Sequence, residues 1–196
     1  MTRPPFDPPT EADIDAVSRQ LGRPARDVVG IAARCACGNP TVVSTQPRLT
    51  DGTPFPTFYY LTHPAATAAV STLEAEGEMP GFAALLEGDV AVAYRRAHEQ
   101  YIDDRESFAV VKEIAGISAG GMPDRVKCLH ALVGHALAAG PGVNPLGDLA
   151  LERAAWSPEV CECVKVVELV ETEPPVVELV ETEPPVVELV ETEVKS

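Results

Sequence analysis

Positive charge is scarce in this chain. Its 196 residues carry 15 Lys plus Arg against 30 Asp plus Glu, a formal net charge of −15. A protein that neutralises phosphates needs a basic surface to displace counterions, so this balance excludes nucleic acid as a partner. An anionic membrane surface is excluded for the same reason. Long apolar runs are missing too: none approaches the ~18–20 residues of a membrane helix. The Pro-rich stretch Met1–Thr10 has no apolar core of a secretory signal. There is no Gly-x-Ser-x-Gly elbow and no His-Glu-x-x-His motif. Aromatic residues make up only 5%, yet the hydrophobic share of 45% is that of a globular protein with a real core. A soluble, acidic, cytoplasmic protein is expected.

The acidity is uneven. VVELVETEPP stands at 166–175 and again at 176–185, and VVELVETE follows at 186–193. Residues 164–196 hold nine Glu and two Lys, a net of −7, which leaves −8 for residues 1–163. Val-Val and Leu-Val favour strands, but each Pro-Pro ends a run and removes donors. The composition predicts a disordered, self-repelling acidic tail over 166–196; the other reading is a strand donated to a partner. The expected organisation is a disordered N-terminus over 1–9, one domain over 10–152, a linker over 153–165, and the tail.

Within the body, Thr10 and Asp13 suit a capping box, and Ile14, Val17 and Leu21 follow on one helical face until Gly22. Runs at 28–33, 41–45 and 58–61 read as three strands of a small antiparallel sheet. His63 before Pro64 marks a helix start, with Ala66, Ala69, Val70 and Leu73 as its apolar stripe. A short helix is expected over 82–87. Another, capped by Asp89, carries Val90, Tyr94, Ala97 and Tyr101 on one face, and a further one runs from Pro123 to about Ala139. The fold class is α+β: a small sheet first, packed helices afterwards.

The chemistry concentrates in cysteine and histidine. Cys35, Cys37, Cys128, Cys161 and Cys163 are the five Cys; His63, His98, His130 and His135 are the four His. In a reducing compartment clustered thiols point to metal or redox chemistry. Cys35-Ala36-Cys37-Gly38 lets the backbone curl so that both sulfurs face one ion. A tetrahedral Zn²⁺ needs two more ligands, and His63 ends the third strand. In an ideal helix Cys128 and His130 lie 200° apart, and Cys128 and His135 are ~10.5 Å apart along the axis. That helix therefore donates one ligand. The expected set is Cys35, Cys37, His63 and Cys128, with His130 or His135 nearby or acting as a base. Buried cysteines also serve as small hydrophobes. The pair Cys161 and Cys163 abuts the repeat and reads as incidental.

Gly120, Gly121 and Arg125 lead into a predicted helix N-terminus, a weak anion loop without the Gly-Lys-Ser/Thr of a nucleotide-binding loop; a plain connector is the simpler reading. Arg95-Arg96-Ala97-His98-Glu99 reads as a solvated helix face.

The stretches Ala33–Pro40, Pro54–Pro64, Asp124–Ala131 and Asn144–Gly147 resemble, in this order, the bacterial family called domain of unknown function 501, and its actinobacterial branch most. The resemblance covers roughly residues 10–152 and excludes the repeat. It implies a Lys-Cys-Leu-His segment ahead of Asn-Pro-x-Gly, matched at Lys127–His130 and Asn144–Gly147. Relatives often carry Cys where this chain has His63, an interchange that a zinc ligand tolerates. Some carry His where this chain has Leu132, so that position is no essential ligand here. The family implies no reaction.

Two functions remain open. One is a structural or regulatory zinc-binding protein that presents a surface to a protein partner, with a closed ligand sphere. The other is a metal-dependent hydrolase with three ligands, an open position for water, and His130 or His135 as general base. An iron–sulfur cluster on the same thiols is a third arrangement. For the tail, deletion of residues 166–196 is expected to leave the thermal midpoint unchanged by scanning calorimetry; a large drop overturns the disordered reading.

Overall fold

The computed structural model describes residues 6–161 and residue 163. The repeat tail lies outside the described residues.

Helix α1 (Glu11–Leu21) begins where Thr10 and Asp13 cap each other's backbone N–H groups and ends at Gly22, whose left-handed φ of 64° suits glycine. Strands β1 (Val28–Arg34), β2 (Pro40–Thr45) and β3 (Tyr59–Leu61) form one antiparallel sheet in the order β1-β2-β3. Ile31 pairs with Val43, and Val42 with Leu61. On one face α1 lays Val17 against Ile31 and Val43. The other face carries the main core, built around Val42, Phe58, Leu61 and the later helices. Every residue of β2 is buried, as a central strand between two layers must be.

Helices α2 (Pro64–Ala75), α3 (Met79–Ala84), α4 (Gly88–Phe108), α5 (Leu129–Ala139) and α6 (Pro145–Ala154) follow, with a 3₁₀ turn at Lys112–Ile114. The α+β class is as read from sequence, with three strands and six α-helices among the described residues. Among these residues, no helix is long and apolar enough to cross a membrane. The Tyr101 hydroxyl on α4 accepts from the backbone N–H of Phe58 (2.6 Å) and of Tyr59 (3.2 Å), which satisfies the outer edge of β3. Arg105 is fully buried because its guanidinium donates to the carbonyls of Ile114 and Ile117. Helix α5 is the hub. Glycine lets neighbouring backbones reach it: a Cβ on Gly147 of α6 would lie 2.3 Å from the Leu132 carbonyl oxygen.

Three expectations change. Phe6 and Asp7 were expected to lie in a disordered terminus. Asp7 pairs with Ile31, and Phe6 packs flat over Gly30 and edge-on to Phe58. The expected linker is folded back: Trp156 is buried, and the Ala36 N–H donates to the Pro158 carbonyl at 2.8 Å. The helix expected from Pro123 starts only at Leu129, because the Gly120 carbonyl accepts from the Lys127 N–H (2.7 Å) and holds the chain in a turn.

Two outcomes follow. The Arg34 guanidinium meets the Asp13 carboxylate with both arms, at 2.6 and 3.1 Å, and holds the carboxyl well below the usual carboxylate range. A depressed folded pKa stabilises above the ordinary value near 3.8, and that contribution is lost as pH falls through it. Asp13→Asn is therefore expected to cost about 1–2 kcal/mol at neutral pH and to flatten the acid limb, as read by urea unfolding at several pH values. Gly147→Ala forces α5 and α6 apart and is expected to cost about 1–3 kcal/mol in the same assay.

Candidate metal centre

The turn between β1 and β2 is built for close approach of side chains. The Cys35 N–H donates to the Asn39 carbonyl and the Gly38 N–H to the Cys35 carbonyl, both at 2.8 Å. Gly38 holds φ at 89°, which a side chain would resist. Arg34 donates to the Gly38 carbonyl at 2.9 Å while it grips Asp13, so the turn is tied to α1. Past α6, Ala155 adopts a left-handed φ of 51° and turns the chain back. Trp156 then packs on the buried His63 ring at 5.1 Å, and Pro158 accepts from Ala36. The returning segment delivers Cys161 and Cys163.

The sulfurs of Cys35, Cys37, Cys161 and Cys163 all lie within 4.8 Å of one another. Cys37 and Cys163 are 3.4 Å apart. Four sulfurs placed ~2.3 Å from one ion would stand ~3.8 Å from each other, so the cluster has the dimensions of a four-thiolate site. The Asn39 N–H on Cys37 lowers that thiol to about 7. Burial raises Cys35 and pushes Cys163 up to about 12.

His63 comes close, but from the side. Its Nε2 lies 3.1 Å from the Cys163 sulfur. Its Nδ1 caps α2 by accepting from the Ala66 N–H at 3.4 Å. An Nδ1 that accepts leaves the ring proton on Nε2, where it donates to Cys163. The ring thus orients the Cys163 sulfur.

Cys128 does not join this cluster. It stands with Glu74 and His130, their donor atoms also within 4.8 Å of one another. The 200° separation assumed for Cys128 and His130 fails because Cys128 is the N-cap of α5, with φ −154° and ψ 112° rather than helical angles. The sulfur swings to the side of His130 and lies 4.0 Å from its Nδ1. The Cys128 sulfur beside His130 raises that imidazole to about 8, and the imidazole in turn lowers the thiol. His135 lies in the core, fully buried: it stacks parallel on Tyr59, meets Tyr101 edge-on, and its Nδ1 accepts from the Asn144 amide at 3.2 Å. The ring is enclosed in the core and away from solvent.

Gly120, Gly121 and Arg125, the candidate anion loop, do not lead directly into a helix N-terminus, because α5 starts only at Leu129. The first N–H of that helix, on Leu129, is already bound at 2.7 Å by Glu74, and the Gly120 carbonyl serves the turn. A cleft of about 870 Å³ lies over Arg23, Arg26, Asp27 and Tyr60 and is lined by no residue of either cluster.

Sequence reasoning missed Cys161, Cys163 and Glu74. The first two had a signal, a second C-x-C matching the first; Glu74 had none, being one acidic residue on an amphipathic helix. Among known proteins, no curated protein and no solved structure matches the chain. A family described as a protein of unknown function (DUF501) matches residues 31–152, well over half of the chain. Cys35, Cys37, His63, Glu74, Cys128 and His130 fall inside that span; Cys161 and Cys163 lie beyond it. The resemblance read from separated motifs and the family match agree: this chain belongs to the DUF501 family.

Proposed function

We propose that this protein binds one structural Zn²⁺ through Cys35, Cys37, Cys161 and Cys163, in the reducing cytoplasm where such thiols persist. The convergence of four sulfurs from two C-x-C pairs, more than a hundred residues apart in sequence, supports this reading. Four thiolates fill a tetrahedral sphere and leave no position for water, which is the plan of a structural site. The ion would staple the segment after α6 onto the β1–β2 turn and seal Trp156 and His63 beneath it. Its stabilisation would be folding free energy, because the unfolded chain holds no preformed site. The stapled face would be what a protein partner meets.

The single Trp is a built-in reporter, since it lies against the ring that faces Cys163. Elemental analysis of untagged protein is expected to find zinc. Chelation is expected to shift Trp156 emission and lower the thermal midpoint. Cys35→Ser and Cys163→Ser remove both responses, while His63→Gln retains the ion with weaker affinity. Wild-type protein whose Trp156 emission and melting ignore chelator and added zinc overturns the site. Brown colour with stoichiometric iron assigns the thiols to a cluster instead.

A further inference from the structure

The second group of donors differs in kind from the first. Glu74 comes from the last turn of α2, Cys128 from the N-cap of α5, and His130 from its first turn. The Cys128 sulfur is 4.0 Å from His130 Nδ1, and that nitrogen is 3.3 Å from Glu74 Oε1. On the far side of the ring, Nε2 lies 3.2 Å from the Thr67 carbonyl and 3.1 Å from the Ser71 hydroxyl. A carbonyl only accepts, so Nε2 carries a proton and Nδ1 is the atom turned on Cys128 and Glu74. Metal-bound imidazoles are held in this way, with the remote N–H on a carbonyl. The carboxylate is oriented as well, because Glu74 Oε1 accepts from the Leu129 N–H at 2.7 Å. Sulfur, nitrogen and oxygen donor atoms therefore gather around one point, within 4.8 Å of one another, and all three residues are half-buried. A proton on Nδ1 bridges these groups in the absence of a metal, and a divalent ion bound at the same point would take its place.

Beside this point opens a cleft of about 360 Å³, lined by Thr57, Tyr59, Leu61 and Gly120 together with Cys128 and His130. We propose that Glu74, Cys128 and His130 form a second metal site, for a borderline divalent ion of the zinc class, with its fourth position open to this cleft. One thiolate, one imidazole and one carboxylate suit such an ion better than calcium or magnesium, which take oxygen donors. Three protein ligands with one open position are the plan of a catalytic zinc, whereas four thiolates are that of a structural one. The open position takes water or another small oxygen donor, and water held there is acidified toward neutrality.

The test uses the untagged full chain, stripped of metal and titrated with Co²⁺. Wild-type protein is expected to bind two equivalents. Cys128→Ser and Glu74→Gln each lose one of them and keep the chelator response of Trp156. Glu74→Gln retains the acceptor for the Leu129 N–H, so it preserves the fold if Cys128→Ser does not. Cys35→Ser shows the reverse pattern: it loses the Trp156 response and keeps the second equivalent. Added acetate is expected to change the visible spectrum of the second Co²⁺, because its sphere is open, and to leave a four-thiolate ion untouched. If the thiol cluster fails as a metal site, wild-type protein binds one equivalent that Cys128→Ser abolishes. Unchanged stoichiometry in both Cys128→Ser and Glu74→Gln overturns the second site. So does a histidine NMR signal showing His130 doubly protonated at neutral pH with Co²⁺ in excess, since a shared proton then takes the place of the ion.

Discussion

The Asp13–Arg34 pair is the constraint on which the thiol cluster rests. One carboxylate caps α1 and receives both arms of the guanidinium that ends β1. The same guanidinium reaches the Gly38 carbonyl and so fixes the turn that carries Cys35 and Cys37. Isolated surface ion pairs contribute little. This one differs because Asp13 is buried, the contact is bidentate, and the carboxylate also accepts from the Thr10 hydroxyl and N–H. A helix start, a strand end and a tight turn thus share a single charge, and none can shift without the others.

Helix α5 plays the corresponding part for the second cluster. Its start is decided by competition for backbone groups. The Gly120 carbonyl takes the Lys127 N–H, which stops the helix from beginning near Pro123. Glu74 then takes the Leu129 N–H and acts as the side-chain cap that Cys128 does not provide. Because Cys128 stays extended, its sulfur falls beside His130. The negative end of that cap and the positive end of the helix attract each other, so the carboxylate is aimed before any ion arrives. Farther along, Gly134 lets α5 approach β3, where a Cβ would lie 3.1 Å from the Tyr59 carbonyl.

Much of the fold was legible because its signals are local. Thr10, Asp13 and Gly22 mark the two ends of α1 through hydrogen bonds spanning a few residues. His63 and Pro64 do so for α2, and the three strands fall within a residue or so of their expected bounds. The candidate metal donors were legible only as types. Spacing identifies Cys35 and Cys37 as a pair, but their partners come from beyond α6, and nothing in sequence spacing encodes a return over that distance. Adjacency to a duplicated repeat made Cys161 and Cys163 look incidental, although the second C-x-C was itself the clue. The error at Cys128 has a sharper cause. Ideal helical angles were applied to a residue that caps the helix instead of entering it, and a single non-helical ψ reverses which side chains meet.

The two clusters also divide the electrostatics in opposite ways. Four thiolates around a divalent ion leave two negative charges in excess, a costly burden for a partly buried site unless N–H donors face the sulfurs. The structure supplies them: the Asn39 backbone on Cys37 and the His63 Nε2–H on Cys163. So much thiolate charge would also quench the Lewis acidity of an ion held there, which suits a staple. At the second cluster, one thiolate and one carboxylate would balance the charge of a divalent ion, with the imidazole, once it loses its Nδ1 proton, completing the set. No donor is needed to offset excess charge there, and around His130 the far contacts are an acceptor carbonyl and a hydroxyl. An ion bound in that setting would keep its pull on an incoming oxygen. The cleft lies beside this second cluster, so an ion held there would have room for a further ligand.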